Sequence, residues 1–216
     1  FVTKELKYLL ESGFEVGLHG NYNAATDAAS ASNELKRLAA ALNTGVNGYR
    51  NHYLCFDIEK SWAIWEQLGI KHDSTFGYAN MPGFRNGMCY PFHPYSCAEK
   101  RYYDIVELPL IAMDATLFNY LKLDVEGAFA LVQQLFERVK ACNGVFTLLW
   151  HNNYTTGAYG KLYARLLGYF ESQNAWMPTH NALVEWWKEN DWLEKTTAML
   201  NELNSQPAHE APSHNG

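Results

Sequence analysis

Residues 143–153 read Asn-Gly-Val-Phe-Thr-Leu-Leu-Trp-His-Asn-Asn, so an apolar run of strand-forming residues ends abruptly in His151 and two asparagines. The run has the length of a buried strand. In open or barrelled α/β folds the carboxyl ends of the strands face the active-site mouth. An imidazole titrates near neutrality and can give or take a proton there. The competing reading is a satisfied histidine that only caps a strand end.

Three more runs end in the same way. Phe14-Glu15-Val16-Gly17-Leu18 delivers His19 into a Gly/Asn-rich loop, and Val46-Asn47-Gly48-Tyr49 delivers Arg50 and, two residues on, His52 and Tyr53. Leu108-Pro109-Leu110-Ile111-Ala112-Met113 ends in Asp114. Packing alone would accept any small polar residue at each terminus. Four ionisable groups at four strand ends instead describe the rim of a catalytic or binding cleft.

Composition narrows what that cleft could serve. The 216 residues suffice for one domain with a sizeable core, and the net charge of −6, without a long Lys/Arg cluster, disfavours a nucleic-acid partner. No run of eighteen apolar residues is present, so no membrane span is expected. The chain starts at Phe1 and carries no signal-peptide pattern, and a cytoplasmic or cell-envelope location is the expectation. Cys55, Cys89, Cys97 and Cys142 fit no zinc-ribbon spacing and read as free thiols. The 14 Tyr and 7 Trp supply flat apolar faces suited to pyranose rings, although an aromatic-rich core explains most of them equally well.

The elements that would position these groups alternate. Helical periodicity is expected over 4–11, 25–42, 58–68 (with Asp57 as N-cap), 124–141, 158–172 and 180–203. Strands are expected over 14–18, 46–50, 104–113 and 144–150. Residues 70–100, rich in Gly, Pro, Asn and aromatics, read as one long ordered loop. Strands alternating with helices imply a parallel sheet or barrel. One domain is expected over 1–204, with a disordered tail over 205–216.

These dispersed motifs resemble the polysaccharide deacetylase family, of the NodB-homology or carbohydrate esterase family 4 type, in a divergent bacterial branch. The resemblance covers about residues 5–190. It implies a distorted (β/α) barrel and a hydrolase that removes acetyl groups from an acetylated carbohydrate with a divalent metal, zinc or another transition ion. Glu15-Val16-Gly17-Leu18-His19 resembles the family's second motif, with His19 a metal ligand and Asn23 where a second ligand histidine is usual. Asparagine suits harder ions better than zinc. Gly48-Tyr49-Arg50-Asn51-His52-Tyr53 resembles the third motif. There Arg50 orients the catalytic base, and His52, in the place of a proline, is a replacement ligand or lines the groove. Asp114 resembles the acid of the fourth motif, which pairs with that arginine. Leu148-Leu149-Trp150-His151 matches the last motif, with His151 the general acid and Leu149 lining the acetyl pocket. Arg85, Tyr53, Leu149 and Trp150 are the expected substrate contacts.

The family's first motif, which carries the base and a ligand aspartate on the first strand, has no counterpart. The chain therefore reads as N-terminally incomplete. The alternative to an enzyme is a glycan-binding or scaffold protein that kept the fold. Oligomeric state is not legible.

Overall fold

The structure is a computed structural model that describes residues 2–190. In chain order the elements are α1 (Val2–Glu11), β1 (Leu18–Gly20), α2 (Ala28–Leu42), β2 (Gly48–Asn51), α3 (Ser61–Gln67), β3 (His72–Asp73), β4 (Tyr95–Ser96), β5 (Arg101–Tyr102), β6 (Val106–Glu107), β7 (Leu110–Met113), α4 (Val125–Ala141), β8 (Thr147–Leu149), α5 (Gly157–Ser172) and α6 (His180–Glu189). The expected tail at 205–216, and the part of the last helix beyond residue 190, lie outside the described residues.

Local chemistry sets the helix ends. Gly13, at φ +84, closes α1, with the Phe14 N–H returning to the Leu9 carbonyl. Asp27 caps α2 by accepting from the Ala29 and Ser30 N–H groups, and Asn43 ends it in the left-handed region. Asp124 caps α4 through the Gly127 N–H. The apolar face of α2 (Leu35, Leu38, Ala39) packs with Trp62, Trp65 and Ile70, while α4 and α5 bury Val132, Phe136, Leu162 and Leu166 together.

All six central strands run parallel. Four form a sheet in the order β1-β2-β3-β6, and β7 pairs with β8. The chain passes from β6 into β7 through Leu108–Pro109, so the single strand expected over 104–113 is two. A proline has no N–H to donate, which suits it to such a break. Between β8 and β1 no pairing exists among the described residues.

Two expectations for 70–100 and 14–18 need correction. The segment 70–100 is not one loop: it contains β3, paired on both sides, and the β4–β5 hairpin. The first strand begins at Leu18, because Gly17 passes so close to the Gly48 carbonyl (2.9 Å from a built Cβ) that only glycine fits there. Asp57 opens the turn before α3 by accepting from the Glu59 N–H, and the helix itself starts at Ser61.

Candidate active site

The carboxyl ends of β1, β2, β7 and β8 surround a cleft of about 300 Å³. His19 comes from β1, Asn51 from β2, His52 and Tyr53 from the turn after it, Met113 from β7, and Leu149 and His151 from β8 and just beyond. His19 and His151, 132 residues apart in sequence, thus line one cavity. His52 joins them: its Nδ1 lies 3.0 Å from His19 Nε2, ring edge to face.

His151 is anchored at two points. Its Nδ1 is 2.6 Å from Asp114 Oδ1, and its backbone N–H donates to Oδ2 of the same carboxylate. Asp114 is fully buried, while the His151 side chain keeps 37% of its surface exposed. A carboxylate behind Nδ1 fixes that nitrogen as the protonated one and leaves Nε2 as the group that can exchange a proton. The expected Arg50–Asp114 pair is therefore corrected: Asp114 serves the histidine.

Arg50 sits beside His19, its register partner on β1. It is drawn inward, its Nε–H shared between the Ser74 carbonyl and hydroxyl at 3.1 Å each. It backs the cleft and does not line it. Burial pulls its pKa down, against the opposing pull of Asp73 and Glu107. Burial also lowers the His19 pKa, assisted by the positive ends of His52, Arg50 and His151, so this imidazole is neutral at neutral pH.

The remaining expected residues divide. Leu149 and Tyr53 line the cleft. Tyr53 is 67% exposed although its backbone is left-handed (φ 56, ψ 14), an uncommon conformation for an aromatic residue. Trp150 turns away: it stacks on Tyr163 at 5.1 Å and donates its Nε1–H to the Tyr154 carbonyl. Arg85 also lies outside the cleft. Its guanidinium rests over Phe76 at 4.5 Å and donates to the Gly77 carbonyl, bracing the aromatic loop. Asn23 is exposed on the turn after β1 and does not line the cleft. Sequence reasoning missed Asn119, Tyr120 and Tyr154, which complete the far wall. Asn119 and Tyr120 lie on a π-helical turn just after Asp114, and Tyr154 follows His151 by three residues. Proximity to those two motifs was the available signal.

A divalent metal of the kind the resemblance implies would need a third ligand. Catalytic zinc takes three protein ligands. Here His19 and His52 face each other at hydrogen-bond distance, and no group of three His, Cys, Asp or Glu suited to a metal occurs among the described residues. The donor set of these residues does not fit a complete metal centre.

No protein-family model matches the chain, and no curated protein matches it. Solved structures do. A protein from Mycobacterium smegmatis assigned as a polysaccharide deacetylase matches with a TM-score of 0.67 at 15% identity, covering 87% of this chain and 68% of that one. The Puue allantoinase matches at 0.67 and 12% identity, covering 88% and 64%. A Pseudomonas aeruginosa PAO1 protein assigned as a polysaccharide deacetylase matches at 0.62 and 15%, covering 88% and 64%. The chain thus spans about two thirds of the length of these neighbours. At such distant identity the shared property is the fold. No helix among the described residues is long and apolar enough to cross a membrane.

Proposed function

We propose that this chain is a deacetylase-like hydrolase acting on an acetylated carbohydrate, with His151 as its proton-transfer group. The observation that carries the reading is the Asp114–His151 pair at the rim of a cleft, in a fold shared with polysaccharide deacetylases. Hydrolysis of an acetyl amide or ester needs a proton delivered to the departing nitrogen or oxygen. His151 Nε2 faces the cleft for that step, and Asp114 stabilises the imidazolium that precedes it. Leu149, with Met113 beside it, gives an apolar wall of the size an acetyl methyl group needs. Tyr53 and Tyr120, both more than half exposed at the mouth, supply faces for the sugar.

The second reading, a glycan-binding protein without turnover, is favoured by one observation: among the described residues no three groups suited to a metal come together, although His19 and His52 meet in the cleft. One experiment separates the two. Acetate release from N-acetylated and O-acetylated oligosaccharides is assayed with and without added divalent cations, for the protein and for His151→Ala. The enzymatic reading expects release that the substitution abolishes. Oligosaccharide binding with no release under any cation establishes the second reading instead.

A further inference from the structure

Outside the cleft, two carboxyl groups, Asp73 and Glu107, are buried side by side. They are register partners on β3 and β6, and both are fully buried. We propose that Asp73 and Glu107 share one proton and act as a positioning unit for the Ser74–Phe76 turn and, through Ser74, for Arg50.

The hydrogen-bond inventory shows how the pair is held. The Asn51 N–H donates to Thr75 Oγ1 at 2.9 Å, so the Thr75 hydroxyl is free to donate onward to Asp73 Oδ1 at 2.6 Å. The Thr75 N–H donates to Asp73 Oδ2 at 3.0 Å. The Glu107 oxygens accept from Trp62 Nε1–H at 2.9 Å and the Phe76 N–H at 3.2 Å. Glu107 also contacts Asp73 directly, and two buried carboxylates cannot bond without a proton between them, so one proton is held by the pair. Burial pushes both carboxyl groups up, and the neighbouring Asp73 drives Glu107 well above the ordinary carboxylate range.

The pair thus presents a single negative charge to this part of the molecule, and Arg50 supplies the positive one. Two buried charges of one sign would be far more costly than one matched by a guanidinium. The same bonds fix the turn that Arg50 grips: Thr75 and Phe76 are tied to the pair by their N–H groups, and Ser74, between Asp73 and Thr75, offers its carbonyl and hydroxyl to Arg50 Nε. Trp62 connects the pair to α3, so the helix layer, two strands and the turn meet at one proton. What Arg50 does for a reaction rests on the deacetylase reading above. The shared proton does not.

Infrared spectroscopy of the native protein in deuterated buffer at neutral pH tests the proton. The expected result is a solvent-shielded carboxylic-acid carbonyl band that disappears in Glu107→Gln. Its absence from the native protein overturns the proposal, with no variant needed. Nitrogen-15 NMR of the Arg50 Nε–H tests the positioning. Glu107→Gln keeps one charge and should leave that signal in place, whereas Asp73→Asn should shift it and speed its solvent exchange at least tenfold. If Asp73→Asn does not fold, Thr75→Val is read in its place. An Arg50 signal unmoved by loss of the Asp73 charge or of the Thr75 hydroxyl overturns the positioning role. These outcomes hold whether or not acetate is ever released, so failure here and failure of the deacetylase reading are distinguishable.

Discussion

Asp114 turns both of its oxygens onto His151, one taking the ring Nδ1–H and the other the backbone N–H. The first bond sets the tautomer and the second sets where the ring stands. One buried carboxylate at the end of β7 therefore decides both the tautomer and the place of a group carried by β8.

Asp114→Asn is expected to lower acetate release by about 100-fold or more, the range typical for loss of a positioned proton-transfer group. An amide cannot stabilise the imidazolium and can present its NH₂ to Nδ1, reversing the tautomer. The check is a pH–rate profile together with imidazole nitrogen NMR. A variant that keeps the profile of the parent contradicts the role given to the pair.

Arg85→Ala is expected to destabilise the fold by about 1–2 kcal/mol, from loss of a desolvated cation–π contact and a hydrogen bond, and to leave oligosaccharide affinity unchanged. Its guanidinium lies over Phe76, with Phe56 and Tyr78 slightly farther away, and not in the cleft. Thermal denaturation paired with a binding titration measures both quantities. A large loss of affinity at unchanged stability would restore the substrate role expected from sequence.

These two residues show what the sequence could and could not disclose. His19, Arg50, Asp114 and His151 were legible because each ends an apolar run, and strand alternation with helices forces such ends onto one rim. Their partners were not, because partner choice depends on strand order. Asp114 lies on β7 beside β8, so it meets His151, whereas Arg50 lies on β2 beside β3 and meets Ser74. β3 itself was hidden because its residues, His72 and Asp73, are polar and yet fully buried. Their burial is made tolerable by the neighbouring Thr75 and by Glu15, Asn181 and Glu107, and these last three come from distant parts of the chain. Local periodicity carries no trace of such satisfaction.

The share of stability that depends on His180 is expected to fall as pH drops from about 6.5 towards 4. His180 is held neutral by burial, beside Arg50 and His72, and its pKa is lowered to about 4. A histidine whose folded pKa lies below its unfolded value gains protons on unfolding within that window, so acid favours the unfolded state. The His180 contribution is on the order of 3 kcal/mol when fully expressed. His19, also lowered, acts in the same direction, and Glu15 joins it only below about 4.5, whereas the raised Asp73 and Glu107 carboxyls act in the opposite one. Melting temperature against pH for the parent and for His180→Gln measures it. The variant should show a visibly flatter acid limb, and parallel limbs would refute the assignment.

Tyr53→Gly is expected to raise stability while weakening carbohydrate binding. The left-handed backbone at Tyr53 costs an L-residue roughly 1 kcal/mol, which glycine does not incur, although glycine returns part of that through its freer unfolded chain. The net gain is therefore a few tenths of a kcal/mol up to about 0.5. The ring it removes is two-thirds exposed at the cleft mouth, with ring neighbours Tyr22 at 6.2 Å and His52 at 4.5 Å, so little buried packing is lost. Strain kept at an exposed aromatic residue beside a cleft is the pattern of a site in which geometry serves binding ahead of stability. Denaturant unfolding and oligosaccharide titration of Tyr53→Gly and Tyr53→Ala distinguish the two contributions. Both variants should lose affinity to a similar extent, because both lose the ring, but only the glycine should gain stability. Unchanged affinity in both would remove Tyr53 from the sugar-binding surface.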